Sequence, residues 1–290
     1  MEAVMVHNGI LLRSCLHFDL AQTLDCGQAF RWQQTEDGAW HGVACAKPLT
    51  LRQTAEGILL EGVSSEDYHK IWAPYFDMDR DYGELIQRFS SDPSLKSAAD
   101  FCPGIRLLRQ ETWETVCCFI ISQNNNIPRI KGIVQRLCEN FGEAIGGGEY
   151  AFPTPAAIAK LSIDDLSVIR CGFRAKYLID AASKVENGQV DLNALQTLPL
   201  EQAQENLLQI YGVGPKVAQC ILLYGCGRMD AFPVDVWVRR VLDRLYPDGL
   251  PACTKGVQGI AQQYLFHYAR CVPEALNVKD QTENKSISRM

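Results

Sequence analysis

The 290-residue sequence predicts an α+β fold, in which an N-terminal antiparallel β domain precedes a mostly α-helical domain. Two observations predict this order. Apolar and polar residues alternate through much of the first hundred residues, whereas from Asp79 onward the apolar residues recur at helical spacing. A chain of this length with 47% hydrophobic residues buries enough surface for more than one domain. The predicted boundaries are residues 1–104 for the β domain, 105–277 for the helical domain and 278–290 for a polar tail.

The β domain is predicted from short alternating runs separated by turn signals. Glu36-Asp37-Gly38 and Ala55-Glu56-Gly57 are the turns. Closely spaced alternating strands with short turns are typical of an antiparallel meander. The runs that predict strands are Phe30 to Gln34, Trp40 to Cys45, Leu49 to Arg52 and Ile58 to Leu60.

The remainder of the chain is a succession of helical patterns with short connections, which predicts a compact helical domain. Gly146-Gly147-Gly148 and Pro153-Thr154-Pro155 mark a loop inside it. The segments that predict helices are Tyr82 to Phe89, Ser94 to Phe101, Thr112 to Ser122, Ile127 to Phe141, Ala156 to Leu161, Arg174 to Val185, Glu201 to Ile210, Val217 to Tyr224, Val236 to Leu245 and Gln258 to Tyr268.

Several classes of protein are excluded by composition. No apolar run reaches the roughly 18 residues that a membrane span needs, and the first twenty residues carry no secretory signal pattern. The 12 cysteines are scattered, and Cys117 and Cys118 lie inside an apolar helical pattern, so reduced thiols are expected. The sequence has no C-x-x-C pair, so zinc or an iron–sulfur cluster has no support beyond the weak signal of Cys220 and Cys226. No metal site and no cofactor are predicted.

Charge is unevenly distributed along the chain. The net charge is −6, but residues 1–100 hold 8 basic and 15 acidic side chains while the other residues hold 20 and 19. Two stretches, 124–136 and 170–176, contain basic residues and no acid. Because salt screens charges beyond about 8–10 Å, local basic loops are able to bind phosphate on an acidic protein. From charge alone, solvated helix faces explain these stretches equally well.

One segment carries a recognisable phosphate-binding pattern. Leu207 to Ala218 predicts a helix, a tight Gly212-Val213-Gly214 turn, and a second helix that Pro215 opens. Glycines allow positive φ angles and close backbone approach, and the free N–H groups of the second helix form an anion site. The pattern is weak by itself, because glycine is common between helices.

A second segment supplies a carboxylate that could act together with Lys216. Asp235 lies in Phe232-Pro233-Val234-Asp235 at the start of a predicted helix, 19 residues after Lys216. Lys216 falls at a helix N-terminus, where the helix dipole disfavours the ammonium and desolvation would favour a nucleophilic amine. A nearby carboxylate would steady a developing sugar cation. The simpler alternatives are a phosphate contact for Lys216 and an N-cap for Asp235.

Together these segments resemble the helix-hairpin-helix Gly/Pro-Asp DNA glycosylases, and within that superfamily the 8-oxoguanine DNA glycosylase/lyases. The resemblance covers nearly the whole chain. It implies that the β domain has a TATA-binding-protein-like fold. Three further segments carry the likeness: Cys26-Gly27-Gln28-Ala29-Phe30-Arg31-Trp32, Ser122-Gln123-Asn124-Asn125-Asn126-Ile127-Pro128-Arg129-Ile130 and Gly172-Phe173-Arg174-Ala175-Lys176-Tyr177.

The resemblance implies a role for each matching residue around the damaged nucleotide. Lys216 would attack C1′ and form a Schiff base, and Asp235 would stabilise the oxocarbenium-like state while capping its helix. The Gly27 carbonyl would accept a hydrogen bond from N7–H of the oxidised base. Gln262 would read the Watson–Crick edge, with Phe266 and Cys220 stacked on the two faces of the base. At their helical spacing, Phe266 and Cys220 would otherwise be core residues.

The resemblance also implies a DNA-binding set. Asn124 would fill the vacated stack, unless Asn124 to Asn126 merely break one helix and cap the next. Phe173 would be the wedge, and Arg129 with Arg174 would contact the estranged cytosine. Gly212 and Gly214 would grip phosphate, as would Trp237, which stands where eukaryotic members have His. Pro215 replaces their Thr and Phe173 replaces their Tyr, so the departures concern DNA contacts and spare the nucleophile.

The predicted function is therefore a bifunctional DNA glycosylase and abasic-site lyase that excises 8-oxoguanine, preferably opposite cytosine, during base excision repair. Its partner would be double-stranded DNA containing 8-oxoguanine, and the chain would act as a monomer, without a membrane, inside a prokaryotic cell at the nucleoid. Two alternatives remain open. One is a related glycosylase for another lesion such as an alkylated purine, and the other is a non-catalytic DNA-binding module.

Overall fold

The computed structural model describes residues 2–276, and within that range β1–β6 form one antiparallel sheet in the order β1-β2-β6-β5-β4-β3. The strands β7 and β8 pair separately. The bounds are β1 (Glu2–Val6), β2 (Gly9–Arg13), β3 (Trp32–Gln34), β4 (Trp40–Ala44), β5 (Lys47–Gln53), β6 (Ile58–Glu61), β7 (Ala144–Gly146) and β8 (Glu149–Tyr150).

The predicted meander is confirmed as β3 to β6, which pair consecutively and antiparallel. The sequence analysis missed the β1–β2 hairpin, which continues the sheet beyond β6. Strand β1 is largely exposed and shows little alternation, since it lies at the sheet edge. Strand β1 has no buried face of its own, and its pairing with β2 adds it to the sheet as the edge strand.

The predicted helices are also present, and most of their limits agree within about two residues. Side-chain N-caps fix several starts, among them Asp81, Asp92 and Asn126. The bounds are α1 (Leu20–Leu24), α2 (Ser65–Asp67), α3 (Ala73–Tyr75), α4 (Tyr82–Phe89), α5 (Pro93–Phe101), α6 (Thr112–Ser122), α7 (Ile127–Phe141), α8 (Pro155–Ala159), α9 (Ala175–Glu186), α10 (Leu200–Leu208), α11 (Pro215–Tyr224), α12 (Val236–Leu245) and α13 (Gln258–Cys271).

The sheet buries one face against an aromatic cluster. Trp32 is fully buried, contacts Trp72 and Phe76, and donates an indole hydrogen bond to the Tyr75 hydroxyl at 2.8 Å. Large aromatic rings bury much apolar area per residue, and each indole or phenol group needs a polar partner when buried. This core holds β3 against the helices of residues 65–76.

Helices α4 and α5 precede the predicted domain boundary at residue 104, which stays a prediction. Helices α4 and α5 bury Phe89, Leu95 and their neighbours in the core of the helical domain. Phe89 makes an edge-to-face contact with Tyr264 of α13 at 6.1 Å between ring centroids. These two helices therefore pack with the helical core, although the sequence places them before the boundary.

Two further expectations concern connecting segments. The predicted loop around Gly146 contains the short β7–β8 hairpin, in which residues 146–148 all have positive φ angles. The predicted polar tail, 278–290, lies outside the described residues. Within residues 2–276, no helix is long and apolar enough to cross a membrane. All twelve cysteines fall inside the same range, and each is a free thiol.

Candidate active site

The hairpin α10–α11 places two glycines next to a catalytic candidate. Gly212 has φ +83°, and a Cβ at this position would lie 2.6 Å from the Tyr177 ring. Gly214 is the N-cap residue of α11, and Pro215 is the first helical residue. A glycine is required at 212 both by its φ angle and by the close approach of the aromatic ring. The turn thus presents the N-terminus of α11 and, one residue after Pro215, Lys216.

The Lys216 side chain is half-buried between aromatic and sulfur groups. Its Nζ lies 5.4 Å from the Phe119 ring centroid. Burial raises the pKa of the Cys220 thiol, and the charge and hydrogen bond of Lys216 partly offset that rise. Lys216 and Cys220 are four residues apart on α11, so both face the same side of the helix.

Asp235 caps helix α12 and also faces the site. Its Oδ1 accepts a hydrogen bond from the Val238 backbone N–H at 2.8 Å. The N-cap expected for Asp235 is therefore present. Its catalytic role stays a prediction, with which the cap is compatible because a capping carboxylate that uses one oxygen retains lone pairs on the other. The carboxylate raises the pKa of the Cys220 thiol, a minor contribution that reflects its proximity.

One small cavity joins the predicted catalytic and base-recognition residues. Its volume is about 40 Å³. An engineered cavity of about 150 Å³ is needed to hold benzene, so a purine enters only if side chains move. The lining residues are Gly27, Phe119, Lys216, Cys220, Tyr224, Pro233, Asp235, Gln262 and Phe266.

Gly27 brings the N-terminal half of the chain to this cavity. It has φ +91°, which favours glycine, and a Cβ here would lie 3.3 Å from Ile127 Cδ1 and 3.9 Å from Phe266 Cε1. Its backbone therefore lies close to the cavity wall. A side chain would occupy space between α7 and α13.

Gln262 and Phe266 come from successive turns of α13. Gln262 is buried, and its Oε1 lies 3.5 Å from the Tyr224 hydroxyl. Tyr224 donates its shorter hydrogen bond to Gln263, at 2.5 Å, which leaves the Gln262 amide available to a base edge. Phe266 is half-buried, and the Arg270 guanidinium lies 5.4 Å from its ring centroid. Its partial exposure makes Phe266 the wall of the cavity best placed to move.

An open groove of about 790 Å³ leads to this cavity. It is lined by the loop 122–127, by the start of α11 and by the start of α12, including Trp237. Asn124 is exposed and has φ +47°, a conformation that asparagine tolerates better than most residues. Asn126, two residues later, caps α7, so the capping role considered for Asn124 to Asn126 is present at Asn126. The Arg240 guanidinium lies 5.0 Å from a Trp237 ring centroid.

The two predicted cytosine readers differ in their surroundings. Arg129 is exposed near the start of α7. Arg174 is 3% exposed and donates hydrogen bonds to the backbone carbonyls of Gln123, Asn124 and Cys171. Four of its five N–H groups are used in this way. Desolvation lowers the pKa of Arg174, and the charge of Arg129 adds to the effect. The cytosine contact of Arg174 stays a prediction, and the structure gives the side chain a second task, supporting the Asn124 loop.

Phe173 is the exposed aromatic residue beside this loop. Its side chain is 49% exposed, and the Arg174 guanidinium lies 4.4 Å from its ring centroid. The edge of Tyr177 supports the ring from below at 5.8 Å. An exposed, supported ring has the geometry required of a wedge between base pairs.

Sequence reasoning missed three residues of the site. Phe119 and Tyr224 stack at 5.3 Å and form part of the cavity wall, and Arg270 covers Phe266. Each lies within an apolar helical pattern or a helix end that predicts core or solvent. A partial signal was present, because Tyr224 lies four residues after Cys220 on α11 and therefore shares its face.

Comparison with known proteins covers both halves of the chain. Residues 10–116 match the model for the 8-oxoguanine DNA glycosylase N-terminal domain, and residues 117–250 match the HhH-GPD superfamily base excision DNA repair protein model. The N-glycosylase/DNA lyase of Saccharomyces cerevisiae is 35% identical over 78% of this chain and 68% of its own length.

Two solved structures are similar over almost their full length. The 8-oxoguanine glycosylase/lyase of Clostridium acetobutylicum, in complex with double-stranded DNA containing cytosine opposite 8-oxoG, is 36% identical with a TM-score of 0.86, covering 94% of this chain and 99% of that one. A protein named MBOgg1, solved with a low-affinity DNA ligand, is 38% identical with a TM-score of 0.87 and the same coverage. The chain therefore belongs to the 8-oxoguanine DNA glycosylase/lyase family of the helix-hairpin-helix Gly/Pro-Asp superfamily.

Proposed function

We propose that the protein excises 8-oxoguanine opposite cytosine from duplex DNA and then cleaves the resulting abasic site. The observation that carries this proposal is the shared cavity, in which Lys216 and Asp235 line the same small space as Gly27, Gln262 and Phe266. The candidate catalytic groups and the candidate base-reading groups thus line one pocket. A purely DNA-binding module has no need of such an arrangement.

Recognition begins with extrusion of the damaged nucleotide, which costs a few kcal/mol of unstacking and unpairing. Phe266 swings aside, and the base enters between Phe266 and Cys220. Gln262 reads the Watson–Crick edge, which guanine and 8-oxoguanine share. The Gly27 carbonyl accepts N7–H, which 8-oxoguanine has and guanine lacks.

Chemistry follows at Lys216 and Asp235, which line the same cavity. The Lys216 amine lone pair forms a bond to C1′ as the bond from C1′ to N9 breaks, and the base leaves with that electron pair and takes a proton. The free oxygen of Asp235 steadies the positive charge that develops on the sugar. The nitrogen then loses a proton as the bond from C1′ to O4′ breaks and O4′ takes a proton, which gives the Schiff base. Loss of a proton from C2′ then expels the 3′ phosphate, and this β-elimination cleaves the strand on the 3′ side.

The groove supports the remaining duplex contacts. Asn124 fills the vacated stack, Phe173 wedges beside it, and Arg129 with the remaining N–H of Arg174 meets the cytosine acceptors O2 and N3. Gly212, Gly214 and the N-terminus of α11 bind phosphate, and Trp237 adds a contact at the start of α12. The protein would act as a monomer on chromosomal DNA at the nucleoid of a prokaryotic cell, a setting with which its free thiols agree.

A lesion panel with borohydride trapping tests the proposal. Duplexes carry 8-oxoguanine, an alkylated purine or guanine opposite cytosine, and excision and covalent trapping are measured for each. We expect rapid excision and a trapped complex with 8-oxoguanine alone. Excision of the alkylated purine instead would assign a different lesion, and binding without trapping would indicate a non-catalytic module.

A further inference from the structure

Gln28, the residue directly after Gly27, is completely buried, and its role goes beyond the reaction proposed above. Its Nε2 donates to the carbonyls of Thr23 at 2.9 Å and Arg106 at 2.8 Å, and its Oε1 accepts from the Leu108 N–H at 2.9 Å. Both ends of the amide are thus hydrogen-bonded to backbone. A buried side chain in this state has a single orientation.

A second buried amide holds the backbone of the same residue. Gln110 is 8% exposed, and its Nε2 donates to the Gln28 carbonyl at 2.7 Å. The Gln110 backbone N–H in turn donates to the carbonyl of Tyr224, at the end of α11, at 3.0 Å. Gln110 therefore joins the Gly27 turn to the helix that carries Lys216.

The segments on which these amides depend are themselves fastened together. Thr23 Oγ1 donates to the Gly104 carbonyl at 2.9 Å, and the Asp19 N–H donates to the same oxygen at 2.9 Å. A Cβ on Gly104 would lie 2.3 Å from the Asp19 Cβ, which shows how closely the two backbones approach. Residues 19–28 and 104–110 consequently form one rigid clasp.

We infer that Gln28 and Gln110 are positioning residues that fix the Gly27 carbonyl for the recognition of N7–H. Gly27 needs such support, since glycine is conformationally free and a peptide plane that turns by a few tens of degrees loses its hydrogen bond. The clasp holds the residue after Gly27 from its side chain and from its carbonyl. This inference rests on the proposed function, because it assigns support to the same carbonyl.

The reaction itself supplies a readout that separates positioning from mere stability. Cleavage of a preformed abasic site requires Lys216 but contains no base for the Gly27 carbonyl to read. A variant that loosens the carbonyl should therefore lose 8-oxoguanine excision while it retains abasic-site cleavage. A variant that only weakens the fold affects both activities in proportion.

The test uses Gln110→Met, which keeps the volume and removes one donor, and Tyr75→Phe as a matched control. Tyr75→Phe also removes one buried side-chain hydrogen bond from the N-terminal half, the one to Trp32, away from Gly27. Single-turnover excision of 8-oxoguanine, cleavage of a preformed abasic site and melting temperature are measured for both. A third variant, Gln28→Met, removes three hydrogen bonds.

For Gln110→Met we expect excision to fall roughly tenfold relative to abasic-site cleavage, as the displacement of one hydrogen bond predicts. Gln28→Met should show a larger fall in the same ratio, and Tyr75→Phe an unchanged ratio. An unchanged ratio in Gln110→Met, with a melting temperature lowered as in Tyr75→Phe, would overturn the inference. Failure of the wild-type protein to prefer 8-oxoguanine would refute the proposed function instead.

Discussion

The base pocket and the opposite-strand surface are built in contrasting ways. The pocket is a nearly filled cavity of about 40 Å³, assembled from residues that are more than two hundred positions apart in the sequence, such as Gly27 and Gln262. The opposite-strand surface is an exposed face formed by two local segments around Asn124 and Phe173. In the proposed complex the pocket would enclose the base only after side chains move, whereas the opposite-strand surface presents its residues already exposed.

The two regions differ in how residues that would contact DNA directly are supported by residues that act through them. In the pocket, buried amides such as Gln28 support the atoms that would touch the base. On the surface, Arg174 supports the Asn124 loop through carbonyl contacts, and its proposed contact with cytosine would use the N–H that remains. Substitutions in the pocket should therefore have larger and more selective effects than substitutions on the surface.

The largest expected effect comes from the nucleophile. Lys216→Gln should abolish excision and borohydride trapping while lesion binding stays measurable, because the amide keeps much of the length but is not a nucleophile. Gel-shift binding and trapping on the same 8-oxoguanine duplex check this result. Trapping of the variant at the wild-type level would show that another amine forms the Schiff base.

Asp235→Asn should have the next largest effect. Asparagine caps a helix about as well as aspartate, so the melting temperature should stay unchanged, while loss of transition-state charge stabilisation should slow single-turnover excision roughly a hundredfold. Calorimetry and single-turnover kinetics provide the two readouts. Equal loss of stability and rate would return Asp235 to a capping role alone.

Gly27→Ala should selectively damage lesion recognition. The positive φ angle of Gly27 strains any side chain, and the new Cβ would contact Ile127 at 3.3 Å, so the backbone should move away from the base. We expect excision to fall at least roughly tenfold and abasic-site cleavage to persist. If both lesion excision and the preference for lesion over guanine are unaltered, the carbonyl is not the discriminating group.

A smaller effect is expected on the opposite-strand surface. Arg129→Ala should reduce the preference for cytosine over adenine opposite the lesion by roughly tenfold, because a guanidinium reads the cytosine acceptors and adenine presents a donor at N6. Arg129→Lys keeps the charge without the planar fork and should also lose the preference. A constant cytosine-to-adenine ratio in both variants would remove Arg129 from this role.

The smallest expected effect lies on α6, the helix that links the two regions. Burial raises the pKa of the Glu114 carboxyl to about 7, although Arg31 lies 3.5 Å away and opposes the rise. The folded state therefore holds this proton more tightly than the unfolded chain. Stability from this group is fully present below the unfolded pKa and is lost as pH rises from about 4.5 to about 7.

Glu114→Gln should remove that part of the pH dependence. His267 titrates in the opposite sense, since burial lowers its pKa to about 4, so only the difference between wild type and variant isolates Glu114. Thermal unfolding of both proteins between pH 4 and pH 8 measures the difference. If stability depends on pH in the same way for the two proteins, the pKa of the Glu114 carboxyl is not raised by burial.

Much of the fold follows from local patterns in the sequence. Caps and apolar spacing predict the limits of α4, α6, α7 and α12 because those signals lie within one or two helical turns. Strand β1 escaped prediction since its pattern is exposed at a sheet edge. The packing of α4 and α5 with α13 also escaped prediction, because it is a contact between distant segments.

The candidate site residues were predicted mainly from their match to sequence motifs, and less from periodicity, charge or spacing. Lys216 and Asp235 carry local signals, a helix start after a glycine turn and an N-cap, that agree with their proposed roles. Phe119 and the two buried amides Gln28 and Gln110 carry none. Tyr224 carries only a partial signal, its position four residues after Cys220 on α11. Their importance comes from contacts across tens to more than a hundred residues, which neither periodicity nor spacing encodes.

The proposed recognition of 8-oxoguanine depends most on a hydrogen bond from N7–H of the base to the pocket. The non-cleaving Lys216→Gln variant allows equilibrium binding to duplexes with 8-oxoguanine, 7-deaza-8-oxoguanine or guanine opposite cytosine. The 7-deaza analogue keeps the oxygen at C8 and replaces N7–H by a carbon that donates poorly. We predict tightest binding to 8-oxoguanine and a loss of roughly tenfold or more for the analogue, as for one unmade buried hydrogen bond. Equal affinity for 8-oxoguanine and its 7-deaza analogue would contradict the account.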